Sequence, residues 1–122
     1  MADEVIDVKT LLINTLATEF KLPIFLQGSM SNDAAYPASF FTFWNNTTED
    51  SNFYDNSETQ TIWDFDLNFY SNDPTTVNTM LISAKAVLKA VGFIINGSGY
   101  DVLSDETTHS GRGINLNYIE RK

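Results

Sequence analysis

Two aspartates in the middle of the chain are spaced so that they could bind a metal ion. Asp64 and Asp66 lie in the stretch "WDFDLNF", where large apolar residues alternate with polar ones. Because alternate residues of a strand point to the same face, both carboxylates project from one side. Carboxylate oxygens are ligands that Mg²⁺ prefers. We favour the alternative interpretation, the solvent-exposed face of an amphipathic strand, because the sequence positions no further carboxylate or histidine to complete a site.

The sequence contains no motif that specifies catalysis. His109 is the only histidine and there is no cysteine, so neither a His-based zinc site nor thiolate chemistry is available. A nucleophilic serine would require a motif such as GxSxG, which does not occur. The glycine pairs at 97–99 and 111–113 lack the lysine of a phosphate-binding loop and are predicted to be turns. We therefore predict a protein that is not an enzyme, with no catalytic residue, no metal and no cofactor.

Composition and charge limit the partners that the protein can bind. The chain has 122 residues, 43% of them hydrophobic, which predicts a single domain over 1–122 with one core. Its net charge is −9, from 16 acidic and 7 scattered basic residues. Tight binding to nucleic acid is therefore not expected, since it needs clustered lysine and arginine. An acidic surface along which DNA slides is compatible with this charge. The acidic start of the sequence predicts no signal peptide, and no apolar run is long enough for a membrane span.

The first half of the chain predicts a helix followed by two strands. Apolar residues recur at helical spacing over 3–20, and Pro23 ends this helix. Residues 23–29 are predicted to form a short strand, and the aromatic-rich residues 38–45 a central one. The polar stretch 46–59 is predicted to be a long connecting loop.

The second half predicts a strand, a helix and two further strands. After the alternating strand, Asp73 is a good N-cap, Pro74 a good first helical residue and Gly92 a good helix end. Residues 93–103 are predicted to form a strand, a Gly-Ser-Gly turn and a short extended piece, and 114–120 a last strand. The predicted fold is α+β, a single mostly antiparallel sheet with two helices on one face, in the order α-β-β-β-α-β-β. The predicted core residues are Trp63, Phe65, Leu67, Phe69, Leu81 and Leu88.

Three aromatic residues fall in segments that are otherwise polar. Phe53 and Tyr54 lie in the acidic connection, and Tyr100 follows the Gly-Ser-Gly turn. Aromatic anchors contribute strongly to binding energy at interfaces, so we expect contacts with a partner at these positions. Packing of the same side chains back onto the protein remains the alternative.

Several of these segments together resemble the small tail-terminator and tail-completion proteins of long-tailed bacteriophages. The similar features are the N-terminal helix, a "YP" before the aromatic strand "SFFTFW", and an acidic loop. They continue with the strand-to-helix unit "WDFDLNFYSNDPTTV", a "GF" after the second helix and the closing segment "DETTHSGRGINLNYIE". In that closing segment the family commonly has an acidic residue, a polar turn and a His or basic residue, which Asp105, His109 and Arg112 match. No family contact residue can be transferred to the 46–59 segment.

The resemblance implies a structural role in the virion. Such proteins form a ring, usually of six subunits, on the head-proximal end of the tail tube, where they stop tube growth and dock the tail to the head. It implies as partners other copies of the chain, the tail tube protein and a head-completion or neck protein, with DNA passing through the lumen. Subunit or tail-tube contacts are expected at His109 and Arg112 from the resemblance, and at Phe53, Tyr54 and Tyr100 from their aromatic character alone. A neck or head-closure adaptor at the same junction is the nearest alternative, and an acidic inhibitor that mimics DNA is one from another class.

Overall fold

A five-stranded sheet with two helices on one face forms the protein, so the predicted α+β fold and element order are confirmed. The computed structural model describes residues 7–26, 37–51, 60–104 and 108–121. The strand order is β1-β2-β3-β5-β4. Strands β1 and β2 are parallel, and all other neighbours are antiparallel. The elements are α1 (Val8–Phe20), β1 (Ile24–Leu26), β2 (Ser39–Ser51), β3 (Gln60–Ser71), α2 (Pro74–Ala90), β4 (Ile94–Val102) and β5 (Ser110–Arg121).

Helix α1 begins at a capping aspartate. The Asp7 side chain accepts hydrogen bonds from the Lys9 backbone N–H and the Thr10 hydroxyl, which satisfies a donor that the first turn leaves free. Lys21 ends the helix in the left-handed conformation, with φ of 55°, ahead of Pro23 as predicted. Residues 3–6, the predicted start of this helix, lie outside the described residues.

Helix α2 begins and ends where its sequence signals predict. The Asp73 carboxylate accepts a hydrogen bond from the Thr75 N–H, and Pro74 is the first helical residue. Gly92 adopts φ of 107°, which favours glycine and turns the chain out of the helix into β4. The side chains that the helix buries against the sheet recur at spacings of three and four: Val77, Leu81, Ala84 and Leu88.

The core lies between the helices and one face of the sheet. Five of the six predicted core residues are 0–1% exposed: Phe65, Leu67, Phe69, Leu81 and Leu88. Trp63 is only partly buried; its ring stacks on Phe65 at 6.0 Å, and its Nε1 donates to Glu120 Oε1 over 3.2 Å. Burial of such side chains contributes about 1.5–3 kcal/mol each relative to exposure.

Three predicted loops or turns are strands instead. Strand β2 continues to Ser51 through a register shift between Asn45 and Thr47, so the prediction of a loop from 46 onward was wrong for 46–51. Strand β4 spans Ile94 to Val102, and the predicted turn at 97–99 is an irregularity within it where pairing with β5 is interrupted and both glycines have positive φ. Residues 110–113, predicted to be a flexible turn, form the start of β5.

Pairing with β3 explains the differences in β2 and β5, and pairing with β5 explains the one in β4. Strand β3 pairs along its whole length with both β2 and β5, so its ladder supplies hydrogen bonds to residues whose side chains alone favour turns. The glycines in β5 are required by close packing, since a Cβ atom at Gly111 would lie 2.6 Å from the ring of Tyr70. Neighbouring strands therefore override the local turn signal.

Candidate functional site

The sheet face opposite the helices carries a continuous polar surface, which we call the open face. Both helices pack on the other side, and no described element covers this one. Strand register places its side chains in rows that run across four strands. One row consists of Trp44 on β2, Asp66 on β3, Asn115 on β5 and Asn96 on β4. We define the open face by Thr42, Trp44, Asp64, Asp66, Asn68, Asn96, Tyr100, Asn115 and Asn117.

Side-chain amides donate hydrogen bonds to the carboxylates of the two aspartates. Asn115 Nδ2 lies 2.6 Å from Asp64 Oδ1, 3.1 Å from Asp66 Oδ1 and 3.2 Å from the Phe65 carbonyl oxygen. Asn46 Nδ2 adds a further contact of 3.3 Å to Asp64 Oδ1. The two carboxylates are thus joined through one shared amide, which fixes them without an ion pair.

The remaining amides of the open face are oriented by one another. Asn96 Nδ2 donates to Asn115 Oδ1 over 2.7 Å and also to Asn117 Oδ1. Asn117 Nδ2 donates to the Trp63 carbonyl oxygen over 3.3 Å. The amide hydrogens of these three asparagines therefore point at acceptors within the protein.

The structure gives no support to a metal site at the aspartate pair. Among the described residues, no three His, Asp or Glu side chains are grouped so that they could hold a metal ion. His109 is engaged elsewhere, with Nε2 2.8 Å from the Pro37 carbonyl oxygen and Nδ1 2.9 Å from the Thr108 hydroxyl. Asp64 and Asp66 belong to a hydrogen-bonded polar surface, as the favoured interpretation of the sequence predicts.

Tyr100 lies on the open face, where a glycine makes room for it. Its ring covers Gly113, and a Cβ atom on that glycine would be 2.9 Å from the ring. Its hydroxyl donates to Asp66 Oδ1 over 3.4 Å. The pKa of the Tyr100 hydroxyl is raised, first by burial and then by the negative charge of Asp66, the hydrogen bond to Asp66 and the charge of Asp64.

Two side-chain oxygens of the open face are buried without a hydrogen-bond partner among the described residues. Thr42 and Asn68 are Cα partners across β2 and β3, and they are 9% and 6% exposed. Thr42 Oγ1 and Asn68 Oδ1 have no hydrogen-bond partner among the described residues. A buried polar atom without a partner costs about 1–3 kcal/mol, so these two oxygens mark a point where the open face is incomplete by itself.

A groove beside the open face, where the start of α2 meets β4 and β5, brings together two of the predicted contact residues. It has a volume of about 800 Å³ and lies between the start of α2, the end of β4 and the start of β5. His109 and Arg112 both line it, and Arg112 Nη1 forms an ion pair of 2.8 Å with Asp101 Oδ1. Leu103 lines the same groove and is 96% exposed.

The predicted contact residues are therefore divided between two surfaces. Tyr100 belongs to the open face, and His109 and Arg112 belong to the groove. Phe53 and Tyr54 lie outside the described residues. Sequence reasoning did not select Trp44, Asn96, Asn115 or Asn117. The alternation of Ile114, Leu116 and Tyr118 already assigned the two asparagines of β5 to the opposite face, but pairing with Asp64 and Asp66 requires the strand order.

No protein-family model and no curated protein sequence matches this chain. Neither helix in the described ranges is long and apolar enough to cross a membrane. The case for function therefore depends on the fold and on the chemistry of the two surfaces.

Proposed function

We propose that this chain is a structural subunit of a long-tailed bacteriophage, a ring-forming tail terminator that acts by binding alone. Six copies form a ring on the head-proximal end of the finished tail tube. The ring stops further addition of tail tube protein and presents the surface that docks to the head-completion or neck protein. DNA passes through the lumen without tight binding. The protein assembles in the host cytoplasm and resides in the virion.

The open face is the observation that supports this proposal most directly. Trp44 is 49% exposed and Tyr100 43% exposed beside the carboxylates and amides of the open face, and Ile94, the Cα partner of Asn117, is 46% exposed on the same side. Exposed aromatic residues of this kind are typical anchors of protein interfaces. A sheet that is covered by helices on one side and bare on the other is suited to bind a further protein layer.

A closed ring requires two different surfaces on each subunit. In a head-to-tail contact, one patch of a subunit binds a different patch of the next subunit. The chain offers the open face and, separately, the groove with Leu103 exposed at its rim. The edge strand β4 lies between them and pairs with β5 on one side only among the described strands, so backbone groups are also available for a neighbour.

The charge of the protein is consistent with a passage for DNA. The net charge is −9, from 16 acidic and 7 basic residues. A surface with the same sign of charge as the DNA backbone repels it and limits adhesion. Such a surface suits a lumen through which DNA moves.

Electron microscopy of lysates from a phage with this gene disrupted tests the proposal. We expect tail tubes of uncontrolled, excessive length beside filled heads that lack tails. Tails of normal length that fail to join heads would instead assign the protein to the neck or head-closure side of the junction. Normal infectious particles would overturn the assembly function altogether.

Complementation with variants tests which surface is used. Wild-type protein supplied in trans should restore normal tails, and Trp44→Ala should restore fewer than about a tenth as many, as expected for loss of an aromatic anchor. Ile82→Ala is the matched control, because Ile82 is 52% exposed on the outer side of α2. Equal rescue by both variants would exclude the open face from assembly.

A further inference from the structure

On the open face the amide donors are used within the protein, whereas carboxylate acceptors remain available to a ligand. The Nδ2 groups of Asn96, Asn115 and Asn117 are all directed at acceptors of the protein itself. The Asp64 and Asp66 carboxylates each accept an amide hydrogen of Asn115 at Oδ1, and each has further lone pairs. A ligand that satisfies this surface must therefore bring donors, and the negative charge favours cationic ones.

An aromatic ring stands beside these acceptors. Trp44 and Asp66 are Cα partners across β2 and β3, which places side chains on one face about 4.5–5.5 Å apart at Cβ. The Trp44 side chain is half exposed. A planar cation can therefore lie against the indole ring while it donates hydrogen bonds to the carboxylate.

Two buried oxygens of the same face are also acceptors that a hydrogen-bond donor could satisfy. Thr42 Oγ1 and Asn68 Oδ1 have no partner among the described residues, although both side chains are at least nine-tenths buried. Asn68 Oδ1 lies over Gly113 beside the ring of Tyr100. Tyr100 is 43% exposed, so this end of the open face borders solvent.

We propose that the open face binds an arginine-bearing segment of a protein partner, with the guanidinium group held between the Trp44 ring and the Asp66 carboxylate. This deepens the proposed function, on which the identity of the partner rests. Arginine is the side chain that fits both features, because its guanidinium is planar, stacks on aromatic rings and donates a fork of hydrogen bonds to a carboxylate. Lysine supplies the charge without the planar fork. A nucleic acid would meet like charge at Asp64 and Asp66.

The test is an NMR titration of the full chain with blocked peptides. The probe is acetyl-Gly-Arg-Gly-Arg-Gly-amide, and we expect saturable shifts of the Trp44 indole N–H and the Asn115 side-chain amide. Two charge-assisted contacts on a short peptide correspond to a Kd of about 1 mM. The same peptide with citrulline, the neutral isostere of arginine, should bind about tenfold more weakly. The lysine peptide should lie between the two.

Matched variants separate a specific site from general attraction to an acidic protein. Asp66→Asn should weaken binding about tenfold, whereas Glu19→Gln, on the exposed side of α1, should change it by less than about twofold. Trp44→Leu provides a second variant that keeps the apolar bulk and removes the aromatic face. Equal weakening by Asp66→Asn and Glu19→Gln would overturn the inference. Binding of the citrulline peptide as tightly as the arginine peptide would also overturn it. So would binding of spermidine or a DNA oligonucleotide at this face that is tighter than binding of the arginine peptide.

Failure of the arginine site can be distinguished from failure of the proposed function. Overlong tubes in the disrupted phage together with no peptide binding would remove only the arginine site. Peptide binding together with normal tails in the disrupted phage would retain the site and remove the tail-terminator function.

Discussion

The hydroxyl of Tyr100 donates a long hydrogen bond of 3.4 Å to Oδ1 of Asp66, which lies two strands away, beyond β5. Asp66 also accepts a hydrogen bond from Asn115 on the intervening strand. Three strands of the open face are therefore tied together above the backbone ladder. Because the phenol is a donor only while it is neutral, this connection depends on the protonation state of Tyr100.

Titration of the tyrosines should reveal a raised pKa at Tyr100. Burial favours the neutral phenol, and a phenolate would be repelled by Asp66 and Asp64, so its pKa lies above the ordinary value of 10.0. The absorbance change at about 295 nm that is lost in Tyr100→Phe identifies this group. Asp66→Asn should lower its pKa. Asp101→Asn is the control, since Asp101 is adjacent in sequence but bonds Arg112, and an equal shift in both variants would contradict this assignment.

The same pKa shift predicts how stability depends on pH at the alkaline end. The folded state holds the Tyr100 proton more tightly than the unfolded chain, so unfolding releases a proton above about pH 10. The free energy of unfolding therefore falls as the pH rises through the pKa of Tyr100 in the folded state. Tyr100→Phe cannot ionise and should show a smaller decrease. Urea denaturation at two pH values, about 9 and about 11, measures this difference. Identical decreases in both proteins would rule out a contribution from Tyr100.

Truncation of Phe65 should remove a large part of the stability. Phe65 is fully buried, with its ring 6.0 Å from Trp63 and 6.4 Å from both Phe43 and Phe93. Phe65→Ala should cost about 3–5 kcal/mol in the free energy of unfolding, since it leaves a cavity between the sheet and the helices. Phe65→Leu should cost less and permits measurement if the alanine variant does not fold.

Urea unfolding followed by circular dichroism measures both variants. Ile82→Ala is the control, because Ile82 is 52% exposed, and it should change stability by no more than about 0.5 kcal/mol. A cost for Phe65→Ala as small as that of Ile82→Ala would mean that the core lies elsewhere.

Local signals predicted the helices and the core, while the open face depended on strand order. Asp73, Pro74 and Gly92 determine where α2 begins and ends, and these signals act within a few residues of themselves. The alternation in β3 predicted its buried face for the same reason. Nothing local shows that Asn115 lies beside Asp66, because they come together only when β5 inserts between β3 and β4.

Glycine-containing segments were the least predictable part of the chain. Gly111 and Gly113 favour a turn by their intrinsic propensity, but in β5 they lie beneath Tyr70 and Tyr100. The rings that need this space come from two other strands. The two-residue spacing of the glycines fits one face of a strand, although it equally fits a turn, and only the paired structure distinguishes the two.

The N-cap of α2 should depend on the Asp73 carboxylate oxygen. Asp73 Oδ1 accepts from the Thr75 N–H over 3.1 Å and from the Thr75 hydroxyl over 2.8 Å. Asp73→Ala should lower the free energy of unfolding by about 0.5–2 kcal/mol, and Asp73→Asn by less, because asparagine retains a capping oxygen. Urea midpoints measure both. Equal costs would show that charge at the helix start, rather than the capping hydrogen bond, is responsible.

Addition of a methyl group at Gly113 should destabilise the protein through contact with Asn68 and Tyr100. The added Cβ would lie 2.9 Å from Cε2 of Tyr100 and closer still to Oδ1 of Asn68. Gly113→Ala should therefore cost about 1–3 kcal/mol, as overpacking does. Asn68→Ala removes the nearest obstructing atom, so the double variant should be more stable than the sum of the two single costs predicts, by about 0.5–3 kcal/mol.

Gly97→Ala distinguishes this crowding from backbone strain. Gly97 has φ of 77° and nothing within 4 Å of an added Cβ, so its substitution should cost about 1–2 kcal/mol through conformation alone. Asn68→Ala should not relieve that cost, and the two effects should add. Urea denaturation of the three single and two double variants gives both coupling energies. If the free-energy costs of Gly113→Ala and Asn68→Ala are additive, the strands separate to accept the methyl group. The open face would then not be fixed by the packing of Tyr100 on Gly113.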